Sequence, residues 1–343
     1  MPKFSLSSLP LSGLFGVIKP SGPTSMHIIN EIKPLIAGSR IFVDTATLEK
    51  NKKSKGKGAR GRRGKDGIKI GQGGTLDPLA DGVLVIGVGK GTKKLNEFLD
   101  CSKEYRTTCL LGCETDSYDS EGARVRTAPW RHVTKEKVES ALEQFRGEIE
   151  QAPPIFSALK MDGMPLYDYA RKGIPLPRPI EKRKVTIHSL ELVEWKGSDH
   201  AYRWPEKKLT EEEKNALAKS LSEVDDNAAI VDEADPDGEA DGSVGPSAFV
   251  LKMKVSGGTY VRSIVHDLSH ALGSAGHVVT LTRSKQRNYV LEPEEEDDRR
   301  CVSWEVFEKA LKDAGEADEE GWVEWEREVL DKLVVVEADG SKS

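Results

Sequence analysis

The stretch Gly71-Gln72-Gly73-Gly74-Thr75-Leu76-Asp77-Pro78-Leu79-Ala80-Asp81-Gly82 constrains this chain more than any other. A helix cannot run through it. Glycine reaches backbone conformations closed to other residues, while Pro78 fixes its own φ and turns Asp77 away from helical geometry. The apolar run Val83-Leu84-Val85-Ile86-Gly87-Val88 follows at once and reads as a buried strand. The stretch is therefore a loop feeding a core strand, with one carboxylate held in its middle. Such a carboxylate is either a positioned reagent or part of an Asx-type turn at an Asp-Pro corner, and its surroundings must decide.

Around the loop, strands and helices mix without a regular βαβ alternation, which predicts an α+β domain. Leu14–Ile18 reads as a strand, Lys19–Pro23 as a turn, and Thr24 or Ser25 as the cap of a helix carrying Ile28, Ile29 and Ile32. From Gly38 to Lys69 the pattern dissolves. Asn51–Lys69 holds nine bases, five glycines and one acid, the composition of a flexible insertion. Thr92 is expected to open a helix with Leu95, Phe98 and Leu99, and Tyr105–Leu111 reads as a strand. Helical spacing over Thr134–Phe145, a short helix at Leu166–Arg171 and a strand over Lys184–Val193 come next. A second polar break spans Lys196 to Pro246. Phe249, Leu251, Met253 and Val255 then alternate as a half-buried strand does, and Val261, Ile264, Val265, Leu268 and Leu272 trace the apolar face of a helix. Beyond Arg283 one helix near Trp304–Leu311 precedes an acidic tail containing tryptophan.

Composition removes several functions. The 343 residues suffice for one large domain or two modest ones, and no apolar run is long enough to cross a membrane. Met1–Leu14 reads neither as a secretory signal nor as an organelle presequence. The four cysteines fit a reducing compartment, and Cys109 with Cys113 lacks the second pair of ligands a zinc site needs. Gly87-Val88-Gly89-Lys90-Gly91-Thr92 fails as a nucleotide-binding loop, because Leu84 stands where a glycine is required and Gly91 where Ser or Thr is. Lys90, Lys93 and Lys94 there face solvent or a nucleic-acid phosphate. The net charge of −6 argues against a nucleic-acid partner, yet Glu223–Asp241 alone carries nine acids and no base, so the remainder is net positive.

Three other motifs bear on chemistry. His266-Asp267-Leu268-Ser269-His270 sets two imidazoles one turn apart, but its Asp falls a methylene short of the zincin pattern, and no metal is expected. Gly257-Gly258-Thr259-Tyr260-Val261-Arg262 feeds a helix whose first turn carries an arginine, where the dipole disfavours it, so Arg262 either pairs with an anion or is a surface residue. Lys103-Glu104-Tyr105-Arg106 suits a stacking aromatic between phosphate contacts and suits a strand edge equally. Tyr167 and Tyr169 read as packing aromatics.

Together these pieces resemble the TruB family of tRNA pseudouridine synthases. The resemblance runs in order through Gly16-Val17-Ile18-Lys19-Pro20-Ser21-Gly22, the Gly73–Gly82 loop, Lys103-Glu104-Tyr105-Arg106 and Ser157-Ala158-Leu159-Lys160. It continues through Leu166-Tyr167-Asp168-Tyr169-Ala170-Arg171, Gly258-Thr259-Tyr260-Val261-Arg262-Ser263 and Gly276-His277-Val278. It implies the pseudouridine synthase fold, a mixed and mainly antiparallel sheet flanked by helices and loops. The implied reaction is isomerisation of uridine to pseudouridine at position 55 in the T-loop of tRNA, with no metal and no organic cofactor. Asp77 matches the catalytic aspartate, Tyr105 the active-site tyrosine and Arg262 its arginine partner. Lys19, Gln72, Gly74, Thr75, Tyr260, Lys103, Arg106 and Lys160 are the expected substrate contacts.

The chain departs from the family pattern in places. Gln72 stands where a histidine is usual. The basic insertion at 39–69 and the polar, acidic one at 196–246 suit a eukaryotic-type member, and the basic one reads as a phosphate-contacting arm, a solvated linker or a nuclear-import signal. Residues 1–290 are expected to form the catalytic domain and 291–343 an acidic extension, without the PUA domain of bacterial members. The partner is a tRNA T-stem-loop bound by a monomer in the nucleus or mitochondrion, with no membrane. An RNA chaperone using the same surface and a metal hydrolase built on His266 and His270 remain the other readings.

Overall fold

The computed structural model of the chain describes residues 9–54, 68–214, 245–313 and 315–337. Two compact units emerge, one running to Cys101 and resuming at Arg283, the other comprising Ser102–Thr282.

In the first unit the strand Gly13–Lys19 lies antiparallel to Asp81–Val88, with Phe15 opposite Ile86 and Val17 opposite Leu84. Both strands are almost wholly buried, as continuous apolar runs covered on two faces must be. Ile70–Gln72 pairs with the end of Asp81–Val88, which delivers the glycine-rich loop between two paired strands. Thr24 caps the helix Ser25–Gly38, its Oγ1 accepting from the His27 amide at 3.1 Å, and Ile28, Ile29, Ile32 and Ile36 are buried. In place of a helix starting at Thr92, the chain makes a 3-10 turn over Gly89–Lys94 and a short helix at Asn96–Asp100. Glycines at 87, 89 and 91 deny a longer helix its start.

Two stretches differ from the sequence expectation. Residues 39–54 carry structure: Ile41 and Phe42 are buried and Thr45–Ser54 is a helix. The basic stretch from 55 to 67 and the acidic run Glu223–Asp241 lie outside the described residues. The C-terminal part is no appendage. Val302–Ser303 pairs parallel with Val17–Ile18, and Val334–Val335 pairs antiparallel with Gly13–Leu14. The helices Trp304–Lys312 and Glu324–Lys332 bury Phe307, Trp325 and Val329, and Phe307 stacks on Phe15 at 6.3 Å between ring centroids.

In the second unit Lys103–Leu111 pairs antiparallel with Ala248–Val255, which pairs with Arg183–Gly197, which pairs with the edge strand Gly147–Gln151. The strand beginning at Gly276 flanks Lys103–Leu111 on its other side, where the Thr107 hydroxyl donates to the Thr280 carbonyl at 2.9 Å. The helix Val261–Ala271 buries Val261, Ile264, Val265 and Leu268. A satellite core of Ile155, Met161, Leu166, Tyr169, Leu176 and Ile180 holds the hairpin Lys160–Pro165 and the helix Leu166–Lys172. The polar break is ordered at its start, where the Trp204 indole donates to the Leu111 carbonyl at 2.9 Å.

Candidate functional site

Asp77 sits half-buried on the loop, and nearly every carbonyl of that loop is gripped by a side chain or a turn. Gln286 donates to the Gly73 carbonyl, and Arg283 Nη2 to the Gly74 carbonyl at 3.0 Å. Ser25 Oγ donates to the Leu76 carbonyl at 3.0 Å while accepting from the Leu76 amide at 2.8 Å. The Asp77 carbonyl takes the Ala80 amide at 3.1 Å, and the Gly22 amide reaches the Pro78 carbonyl at 2.8 Å. Ser21 Oγ donates to the Leu79 carbonyl at 2.7 Å. Lys19, fully buried, spends its ammonium on the carbonyls of Pro20, Pro78 and Ala80 at 2.8, 3.2 and 2.5 Å.

Two glycines are obligatory here. Gly74 has φ +120 and Gly82 φ +99, and a Cβ on Gly82 would run into the backbone of Arg283. Burial lowers the Lys19 pKa to about 8, with Asp81 and Asp77 partly opposing that fall. Lys19 is thus still a cation at neutral pH, but its role is to rivet the loop, and no donor is left over for substrate. Gln72 donates to Thr75 Oγ1 at 3.2 Å, and its Oε1 is buried without a partner among the described residues. Thr75 is exposed beside it.

In the second unit Arg262 proves buried, 3 % exposed, and so is no surface residue. Its guanidinium donates to the Ser117 carbonyl at 2.5 Å and the Phe156 carbonyl at 2.9 Å, and lies 3.7 Å from the Asp119 carboxylate. Tyr260 precedes it with its backbone clamped by the Gln151 amide, which accepts from the Tyr260 N–H at 2.7 Å and donates to its carbonyl at 3.0 Å. The Arg183 guanidinium lies over the Tyr260 ring at 5.5 Å. Tyr105 stands opposite Met253 on an interior strand and is buried, which removes the strand-edge reading. Lys103 is also buried, at odds with a surface phosphate contact. Arg106 is exposed and pairs with Glu194 at 3.4 Å, and Lys160 is exposed on its hairpin. His277 donates through Nδ1 to the Cys113 carbonyl at 2.8 Å, and burial lowers its pKa to about 4, so it is a neutral structural residue.

Several of these supports have no local mark in the sequence: Ser25, Arg283 and Gln286 around the loop, and Ser117 and Asp119 around Arg262. Asp119 lies 143 positions before Arg262, and nothing local marks the pair.

Fold and loop together define a class. The crystal structure of a Cbf5-Nop10-Gar1 complex matches this fold with a TM-score of 0.51 at 19% identity, over 97% of this chain and 63% of that one. The architecture is the α+β pseudouridine synthase fold. Residues 62–208 match the model of the TruB family pseudouridylate synthase N-terminal domain. The protein named tRNA pseudouridine synthase 4 of Schizosaccharomyces pombe is 37% identical, over 86% of this chain and 82% of its own. Its Saccharomyces cerevisiae namesake is 36% identical over 95% and 87%. The human pseudouridylate synthase TRUB1 is 32% identical over 83% of this chain and 63% of its own. This chain belongs to the TruB family of pseudouridine synthases.

Proposed function

We propose that this enzyme isomerises uridine to pseudouridine at position 55 in the T-loop of tRNA, with Asp77 as the catalytic nucleophile. Relatives named tRNA pseudouridine synthases support the substrate class. The observation that carries the role of Asp77 is the gripped loop backbone: a carboxylate on such a frame keeps its place without reorganising when substrate arrives. Asp77 attacks at ribose C1′ or uracil C6, the N-glycosidic bond breaks, and the base turns. C5 then bonds to C1′, the bond to Asp77 breaks to return the free carboxylate, and C5 gives up its proton to solvent. N1, freed from the sugar, takes up one proton as C5 gives one up, so the product is an isomer and no co-substrate is consumed.

Arg262 acts as the arginine partner of Asp77. Tyr105 stacks on the target base, which must leave its loop to react. Gln72, Gly74, Thr75, Tyr260, Arg106 and Lys160 contact the RNA, whereas Lys19 and Lys103 serve the fold. No described helix is long and apolar enough to cross a membrane. The enzyme acts as a monomer in the nucleus or mitochondrion.

Tritium release from a tRNA transcript carrying C5-labelled uridine tests the reading. Wild type should release label and Asp77→Asn should not. Equal release by both removes Asp77 from the mechanism, and no release from wild type with intact RNA binding leaves an RNA chaperone.

A further inference from the structure

Arg262, His266 and His270 follow one another at four-residue spacing, so they share a face of the helix Val261–Ala271. That face meets the segment Cys113–Thr127 of the same unit. His266 Nε2 lies 3.1 Å from Glu114 Oε1 and its Nδ1 lies 2.9 Å from Asp267 Oδ1. His270 Nε2 is 2.9 Å from Glu114 Oε2, and Arg126 Nε donates to that same oxygen at 2.9 Å. Arg126 Nη2 also lies 3.1 Å from His270 Nε2 and donates to the Ser274 carbonyl at 3.3 Å.

Glu114, His266 and His270 present ligand atoms within 4.8 Å of one another, the outline of a metal site. The hydrogen bonding argues otherwise. Both ring nitrogens of His266 face carboxylate oxygens, so both carry protons, and an imidazolium has no lone pair to give a metal. Arg126 places a further cation against the same carboxylate. Glu114 is already saturated by cations of its own chain.

The geometry of the next residues shows what this cluster holds. The His266 ring stacks on Tyr118, with centroids 3.9 Å apart. Tyr118 has φ +63, a left-handed conformation that a side chain adopts only when its surroundings impose it. It sits between Ser117 and Asp119, the two residues whose carbonyl and carboxylate face Arg262.

We propose that Glu114 and His266 are positioning residues for Arg262: Glu114 anchors the imidazolium, the ring pins Tyr118 in its strained turn, and that turn presents Ser117 and Asp119 to the guanidinium. This rests on the reading in which Arg262 serves the isomerisation. Burial alone would lower the His266 pKa, but Glu114 and Asp267 raise it to about 9. The other groups around it are Tyr118, His270 and Arg126.

Single-turnover rates and KM for a tRNA transcript, measured from pH 7 to 9.5, test the proposal. Glu114→Gln and His266→Gln should each lower kcat about tenfold or more, the scale of a displaced reacting group, with KM within about twofold of wild type. Wild type should lose rate as the pH approaches about 9, and His266→Gln should lack that decline. Should Glu114→Gln fold poorly, His266→Asn carries the same comparison from the more accessible side of the pair. A Glu114→Gln or His266→Asn enzyme with wild-type kcat overturns the proposal. So does a loss carried by KM or melting temperature alone, or an alkaline decline unchanged in the His266 variants. Arg262→Lys separates the two readings. If it keeps full kcat, the role of Arg262 fails; if it loses rate while Glu114→Gln does not, only the positioning fails.

Discussion

In the Gly73–Ala80 loop, neutral backbone carbonyls are gripped by Lys19, Arg283, Gln286 and two serines, whereas along the Val261–Ala271 helix charge meets charge. Both arrangements fix a functional side chain, and they respond to different stresses. A loop held through carbonyls depends on each donor staying buried, since an orphaned carbonyl costs the full desolvation of its group. A helix face held through ion pairs depends on protonation, and removing one partner strands a buried charge. Loss of shape should break the first, and loss of a proton the second.

The largest effect expected at the loop comes from Gly82→Ala. It forces a Cβ into the Arg283 backbone at φ +99, and should cost at least about 3 kcal/mol in urea unfolding. Lys19→Met, close in length but without a donor, should cost about 2 to 3 kcal/mol by leaving the Pro78 and Ala80 carbonyls short of a partner. A variant as stable as wild type would show that water replaces the ammonium.

The pH response separates the two regions by sign. His266 binds its proton more tightly when folded, so its contribution is full below its unfolded value of 6.5 and is lost as pH rises through about 9. Lys19 does the reverse. With its folded pKa at about 8 against 10.5 unfolded, the unfolded chain holds the extra proton, and stability rises with pH between those values. Melting temperatures from pH 6 to 10 should therefore lose their falling component in His266→Gln and their rising component in Lys19→Met. Identical profiles in all three proteins would remove the distinction. The smallest effect belongs to the exposed Lys309–Glu324 pair: Lys309→Ala should change stability by under about 0.5 kcal/mol, which sets the buried Glu114 cluster apart from surface pairing.

Elements that obey a local period were legible in the sequence. The alternation expected over Phe249–Val255 is the strand Ala248–Val255, and the apolar stripe from Val261 is the helix Val261–Ala271. Thr24 caps as its position suggests. What could not be read rests on partners far along the chain. The Thr45–Ser54 helix is too polar to show a face, and Ile41 and Phe42 gain meaning only from the fold that covers them. The C-terminal residues read as an acidic tail because Trp325 and Val329 are set among acids, yet they close over the first strand's side of the sheet. Asp77 was conspicuous because glycines and a proline frame it locally. Its supports Arg283 and Gln286 come from a strand roughly two hundred residues later, with no local mark of their purpose. The burial of Lys19 and Lys103 likewise has no local mark, since it depends on what packs over them.

The most direct measurement is nucleotide-resolution mapping of pseudouridine in a tRNA transcript incubated with wild type or with Asp77→Asn. Pseudouridine is expected at position 55 with wild type and not at that position with the variant. Product at position 55 from Asp77→Asn, or wild-type product only at other uridines, would contradict it.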